Sequence, residues 1–216
     1  MSKKRHTSIA ERLLAAQLAI DNALKIPKIL DKLTAYGYNA ERISAGRRLY
    51  EEASELVTIQ KKEYGEQYEA TDEVNAAWET ADEAYMNTLK IARIALRANV
   101  SAQNALALNG IRKNSLSGWL EQTDVFYRNL LADPDMIAAM GNFGYNKEKL
   151  EAEKVLVDAV ADANLIQEKE KGEALDATAT RDAKVDEMDK WMADFKQIAL
   201  IALEDNPQWL EKLGFK

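Results

Sequence analysis

The sequence predicts an all-α fold in which one helical unit is written twice, and three observations carry that expectation. Nine Gly and 3 Pro in 216 residues leave few helix breakers, and the intervening chain is rich in the helix formers Ala, Leu, Glu and Lys. Apolar residues recur at spacings of three and four, the period of helices that bury one face. Residues 37–96 laid on residues 144–203 without a gap then give 21 identical pairs in 60. A tandem duplication of a three-to-four-helix unit follows, with a first repeat over 1–109 and a second over 110–216.

The elements can be justified in order. Ser8 and Glu11 have the spacing of a capping box, so a helix starts there and runs to about Lys25. Proline cannot continue a helix and forces the residue before it out of the helical region. Pro27 therefore opens a short second helix that ends near Tyr36. Gly37 suits the left-handed position past a helix end, and Asn39 suits the cap of the next helix. The chain spells this stop and start twice, as AYGYNAER at 35–42 and as NFGYNKEK at 142–149.

From Asn39 the pattern is long amphipathic helix, with Leu49, Ala53, Leu56 and Val57 on one face. Val74, Trp78, Ala81, Tyr85, Ala92 and Ala95 then form a coiled-coil-like seam, which the copy repeats as Val185, Met188, Met192, Phe195, Ala199 and Ala202. Between these stretches residues 60–73 and 167–182 are almost wholly polar. They read as the ends of two long helical hairpins, turning near 65–71 and 172–180. Helices of about 28 residues would each reach roughly 40 Å. Four of them would form an elongated antiparallel four-helix bundle, with the shorter N-terminal helices covering one end. Downstream, a three-residue deletion sets Leu106, Gly110 and Ile111 against Leu210, Gly214 and Phe215. In the second repeat Trp119, Phe126, Tyr127 and Phe143 read as core.

Composition narrows the function classes. Charged residues at 30% and hydrophobic ones at 47% describe an ordinary globular chain. No stretch approaches the ~18 apolar residues of a membrane span, and MSKKRHTSIAERLL lacks the apolar run of a signal peptide; a cytoplasmic protein is expected. A net charge of −7 opposes nucleic-acid binding. Residues 1–109 hold 15 basic and 15 acidic side chains, whereas residues 110–216 hold 14 and 21.

No catalytic constellation emerges. With no Cys and a single His, His6, thiolate sites and Glu-x-x-His di-metal centres are excluded. Glu51 and Glu55, answered by Asp158 and Asp162, are the acidic pairs that would hold calcium or magnesium. Glu51 lies about 200° around the helix from Leu49, however, which makes this a solvated face. There is no Gly-rich phosphate loop and no nucleophile elbow. The sequence thus predicts no catalytic residue, no cofactor and no metal.

The candidates for partner binding are Tyr64, Tyr68, Arg93, Arg97, Trp209 and Phe215. Lys90, Arg93 and Arg97 form a basic stripe at helical spacing, and their copies are Gln197, Leu200 and Glu204. Tyr64 and Tyr68 are aromatic in an otherwise polar stretch, where the copy has Lys171 and Leu175. Trp209 and Phe215 read either as a bundle plug or as docking anchors. The function expected is a non-catalytic helical scaffold or interaction protein. It would bind a protein partner or assemble with its own copies through unlike-charged repeats, a heterologous contact. Two alternatives stand beside it, an enzyme or small-ligand binder in the bundle interior and a membrane-active protein built on the poorly acidic stretch 91–110.

Overall fold

A computed structural model describes residues 7–215, and among them the regular structure is entirely α-helical. The Ser8 hydroxyl accepts from the Glu11 amide at 3.2 Å, while the Glu11 carboxylate accepts from the Ser8 amide at 2.8 Å. This reciprocal cap starts α1 (Ile9–Lys25). Ile26 is extended, and Pro27 opens α2 (Pro27–Thr34). Gly37, at φ +82°, closes it. There the Tyr38 amide reaches the Leu33 carbonyl and the Gly37 amide the Thr34 carbonyl, each at 3.0 Å, the paired bonds of a Schellman end. The Asn39 side chain then accepts from the Arg42 amide at 2.9 Å and starts α3 (Ala40–Ala95).

The remaining helices are α4 (Val100–Ala105), α5 (Leu116–Ala132), α6 (Pro134–Gly141), α7 (Lys147–Ala202) and α8 (Pro207–Lys212). Each of α5 to α8 begins and ends 107 residues after its counterpart among α1 to α4. The caps recur as well. Gly144 sits at φ +79°, and Asn146 accepts from the Lys149 amide at 3.0 Å. No deletion separates the ends of the two halves: the left-handed residue after α4 is Ala107 at φ +47°, matching Gly214 at φ +74° after α8. Leu106 and Leu108 are buried like their counterparts Leu213 and Phe215. The expected gap came from matching Gly110 to Gly214, whereas the position that needs a left-handed backbone carries alanine in the first half.

Helices α3 and α7 correct the hairpin expectation. Each runs unbroken for 56 residues, about 84 Å at 1.5 Å per residue. Neither turns at 65–71 or at 172–180, so the four long helices expected of the bundle are two, and they pack together. One glycine costs a helix only about 1 kcal/mol relative to alanine, and Gly65 and Gly172 are the only glycines in the two polar stretches. The Thr71 and Thr178 hydroxyls fold back onto the Gln67 and Ala174 carbonyls at 2.9 Å, which keeps them from competing for free amides. The polar composition has another cause. On α3 only Ala70 and Val74 are buried between Ala53 and Ala77, and on α7 only Ala174 is buried between Val160 and Val185. The stretches are helices with one narrow buried seam.

The chain forms two compact units, and each draws on both halves of the sequence. The first contains α1, α2, α3 as far as Tyr64, α7 from Glu173 and α8. Its core sets Ile20, Ile29, Leu33 and Ile43 against Val185, Phe195, Ala199 and Leu203. Trp191 stacks on Phe195 with centroids 5.1 Å apart, and its ring lies over Gly46, where an added Cβ would overlap it. The second unit, Gly65–Gly172, contains the rest of α3, α4, α5, α6 and the opening of α7. Phe126 there stands edge-on to Tyr85 at 5.2 Å and to Tyr127 at 5.1 Å, inside a core that includes Leu89, Leu130, Met140, Leu150 and Val157.

Contacts recur between the units with the halves exchanged. Asn22 donates to the Lys212 carbonyl at 2.6 Å in the first unit, and its counterpart Asn129 donates to the Ala105 carbonyl at 2.8 Å in the second. The seam positions Val74, Ala81, Tyr85 and Ala92 are buried, as are Val185, Met188, Phe195, Ala199 and Ala202. Phe143, expected in the core, is 47% exposed, as is its counterpart Tyr36 at 48%. Both directly precede the left-handed glycine, in a turn that projects from the helix end. No described helix is long and apolar enough to cross a membrane.

Two substitutions test this packing. Gly46→Ala drives a methyl into the Trp191 ring and is expected to cost about 1–3 kcal/mol of unfolding free energy in urea. Ala107→Gly relieves a left-handed alanine at an exposed site and is expected to add about 0.5–1 kcal/mol in the same assay.

Candidate functional site

The features that distinguish one unit from the other gather where the end of α3 meets α4 and α5. Residues 65–172 carry 11 basic and 18 acidic side chains, and the rest of the chain carries 18 of each. Within this acidic unit the signs are segregated. Residues 65–83 hold seven carboxylates and no cation, whereas residues 84–120 hold Lys90, Arg93, Arg97, Arg112 and Lys113 and no carboxylate. Among the described residues none of these five cations forms an ion pair; the pairs of this unit use Arg128, Lys147, Lys154, Lys169 and Lys171.

Beside α3 a cleft of about 320 Å³ is lined by Trp78, Asp82, Tyr85, Arg112, Trp119 and Gln122, among others. Its size suits a small organic ligand, but the polar groups of Asp82, Tyr85, Arg112, Trp119 and Gln122 already have partners. The Trp119 indole donates to Asp82 at 2.6 Å. Arg112 donates to the Tyr85 hydroxyl and to the carbonyls of Ala107 at 2.6 Å and Gly110 at 2.8 Å. Gln122 donates to the Ile111 carbonyl at 3.1 Å and accepts from the Lys113 amide at 3.2 Å. These groups satisfy the backbone of the segment joining α4 to α5. The corresponding contact of the first unit joins Arg12 to Asp189, so an ion pair there occupies the place of the indole–carboxylate bond here.

Arg93 and Arg97 line a separate niche of about 160 Å³ with Gln103, Leu108 and Asn109. Arg93 donates through Nε to the Leu108 carbonyl at 2.8 Å, which leaves both terminal nitrogens of its guanidinium. The Arg97 guanidinium is exposed and has no hydrogen-bond partner among the described residues. Gln103 donates to the Arg97 carbonyl at 2.6 Å, and Asn109 donates to Gln103 at 3.3 Å, so the amides hold the niche wall in place.

Deeper in the unit Glu153 is buried. Its carboxylate accepts from the Thr88 hydroxyl and, at 3.0 Å, from the Tyr127 hydroxyl. Burial pushes the Tyr127 phenol well above the usual tyrosine range, and the Glu153 charge adds to this. Burial raises Tyr85 too, against the opposing effect of Arg112. Positions Ile20, Gly46, Trp191 and Phe195 of the first unit correspond to Tyr127, Glu153, Ala84 and Thr88 here. An apolar cluster has become a smaller, hydrogen-bonded one.

The chain matches no known protein family, no characterised protein and no solved structure. Function must therefore be read from this geometry.

Of the residues singled out in the sequence, the structure brings Arg93 and Arg97 together. Tyr64 is half-buried and Tyr68 exposed, mid-way along α3 instead of at a hairpin tip. Trp209 is half-buried against the first core, and Phe215 is buried in it, edge-on to Phe195 at 5.9 Å. Glu51, Glu55, Asp158 and Asp162 are all exposed, and His6 lies outside the described residues. Sequence reasoning missed Arg112 and Glu153. Glu153 had left a signal, a carboxylate in register with the apolar positions Leu150, Val157 and Val160.

The raised Tyr127 pKa has a testable sign. Above about pH 10 the unfolded phenol ionises while the folded one keeps its proton, so stability falls as pH rises from there. Urea midpoints measured between pH 9 and 11 are expected to fall less steeply for Tyr127→Phe than for the parent protein.

Proposed function

We propose that this protein is a non-catalytic, duplicated helical scaffold that associates with its own copies through surfaces of opposite charge. The observation that carries this reading is the charge segregation along the second unit, with seven carboxylates over 65–83 and five unneutralised cations over 84–120. Glu69, Asp72, Glu73, Glu79 and Glu83 are exposed, and so are Lys90, Arg93, Arg97 and Lys113. Like charges held close on one helix destabilise it slightly, so an arrangement that segregates the signs and leaves the cations over 84–120 without ion pairs among the described residues is better suited to a contact that supplies the other sign. A contact between two different faces of the same chain is heterologous and propagates into rings or open assemblies.

Two further features support the reading. In the cleft beside α3 the Arg112, Trp119 and Gln122 side chains are bound to backbone or to Tyr85 and Asp82, which favours holding the fold over performing chemistry. The recurrence of every helix boundary at 107 residues favours descent from a duplicated unit whose copies kept their caps and diverged in surface charge.

Light scattering across a salt series tests it. Charges interact over about 30 Å at 0.01 M salt and over about 3 Å at 1 M. At low salt the mass is expected to exceed the 24.2 kDa of one chain, and it is expected to return to that value at high salt. Asp72→Lys combined with Glu73→Lys is expected to abolish the low-salt association. A mass of one chain at high protein concentration and low salt rejects the reading.

A further inference from the structure

We infer that the Arg93–Arg97 niche is a binding site for a small tetrahedral oxyanion, a phosphate group above all. Arg93 lies in the last turn of α3 and Arg97 in the turn that follows it, and both line a recess completed by Gln103, Leu108 and Asn109. Arg93 donates Nε to the Leu108 carbonyl, which lies past the end of α4, and so ties that segment to the last turn of α3. Arg97 does not share this role, since its guanidinium has no partner among the described residues. The recess therefore holds nine guanidinium N–H donors without acceptors among the described residues, four on the two terminal nitrogens of Arg93 and five on Arg97.

The chemistry of the ligand follows from charge, shape and size. A carboxylate has one charge and two oxygens, enough for a single guanidinium fork. A phosphate has close to two charges and at least three free oxygens, which matches two forks side by side. The niche, at about 160 Å³, falls below the roughly 300–1,000 Å³ of clefts that enclose whole organic ligands. It is of a size for one phosphate group with any substituent projecting outward. No carboxylate occurs between residues 84 and 120 to repel an anion or to occupy the forks.

The first unit indicates that the fold does not require these arginines. At the same positions it carries Leu200, half-buried, and Glu204, yet the helix ends there with the same turn geometry and the same following helix. Two guanidinium groups at this place are a property of the second unit alone. A single chain contains every residue that lines the site, so a monomer can bind phosphate, and a copy docked on the same two arginines would compete with it.

An NMR titration of the full chain tests the site, with inorganic phosphate added at constant ionic strength and the arginine Nε–Hε signals as the readout. Saturable shifts of Arg93 and Arg97 are expected, and Arg97→Gln is expected to weaken binding by roughly tenfold or more. Because the Arg97 side chain makes no hydrogen bond or ion pair among the described residues, this variant should melt at the parent temperature by circular dichroism. Lys113→Gln removes an equal charge outside the niche and is expected to change affinity less than twofold. A parallel titration with glycerol 3-phosphate separates two sources of the group, with tighter binding of the ester pointing to a phosphorylated molecule and equal binding to free phosphate. Shifts that stay linear in phosphate, or equal losses in the Arg97 and Lys113 variants, would overturn the proposal. Light scattering on the same samples separates it from the self-association reading, since saturable phosphate binding by a chain that remains monomeric at low salt sinks only the latter.

Discussion

The structure depends on the continuity of two helices through sequence that offers them little to bury. Helix α3 begins in one core and ends in the other, and α7 does the same in the reverse order of chain. Each core therefore closes only when segments from both halves of the chain arrive. Ile20 and Ile29 meet Phe195 and Leu203 in the first unit, and Tyr85 and Leu89 meet Phe126 and Leu150 in the second. A break at Gly65 or Gly172 would let each half fold back on itself. What prevents it is the absence of any strong alternative, because an isolated helical glycine is tolerated and the stretches contain no proline.

Within that framework the two units solve the same packing problem with different side chains. The first fills the space over Gly46 with the indole of Trp191. The second has Ala84 and Glu153 at those positions and compensates with the hydroxyls of Thr88 and Tyr127. A buried carboxylate is tolerable because both donors reach it; without them its desolvation would be costly. The exchange shows which constraints are strict. Core volume can be redistributed among neighbours, whereas the backbone at a helix end accepts few alternatives. Thus Gly37 and Gly144 persist, and the one end that carries alanine, at Ala107, carries it at a steric cost.

The surface follows the same division. Ion pairs such as Lys184 with Glu52 and Lys154 with Asp124 join neighbouring helices inside a unit, and exposed pairs of this kind contribute little to stability. Of the cations over 84–120, Arg93 and Arg112 hold backbone carbonyls of the second unit, whereas Lys90, Arg97 and Lys113 have no ion-pair partner among the described residues, so ion pairing within the chain does not explain their placement. They instead shape what an anion meets on approaching that end of the second unit.

The sequence by itself determined what is local. The capping box of Ser8 and Glu11, the break at Ile26–Pro27, the left-handed Gly37 and the cap at Asn39 each involve groups a few residues apart, and all but the Glu11 half of the box are present twice, Gly118 standing where Glu11 does. The apolar seams were legible too, since a 3.6-residue period records which face is buried. Only the tertiary structure decided whether residues 60–73 and 167–182 turn or continue. A polar helix and a polar hairpin tip have the same composition, and the choice rests on which distant segment packs opposite. The pairing of Gly46 with Trp191 and of Glu153 with Thr88 and Tyr127 was out of reach for the same reason. Side chains that compensate one another across 26 to 145 positions of chain leave no periodic trace, because the compensation acts through space.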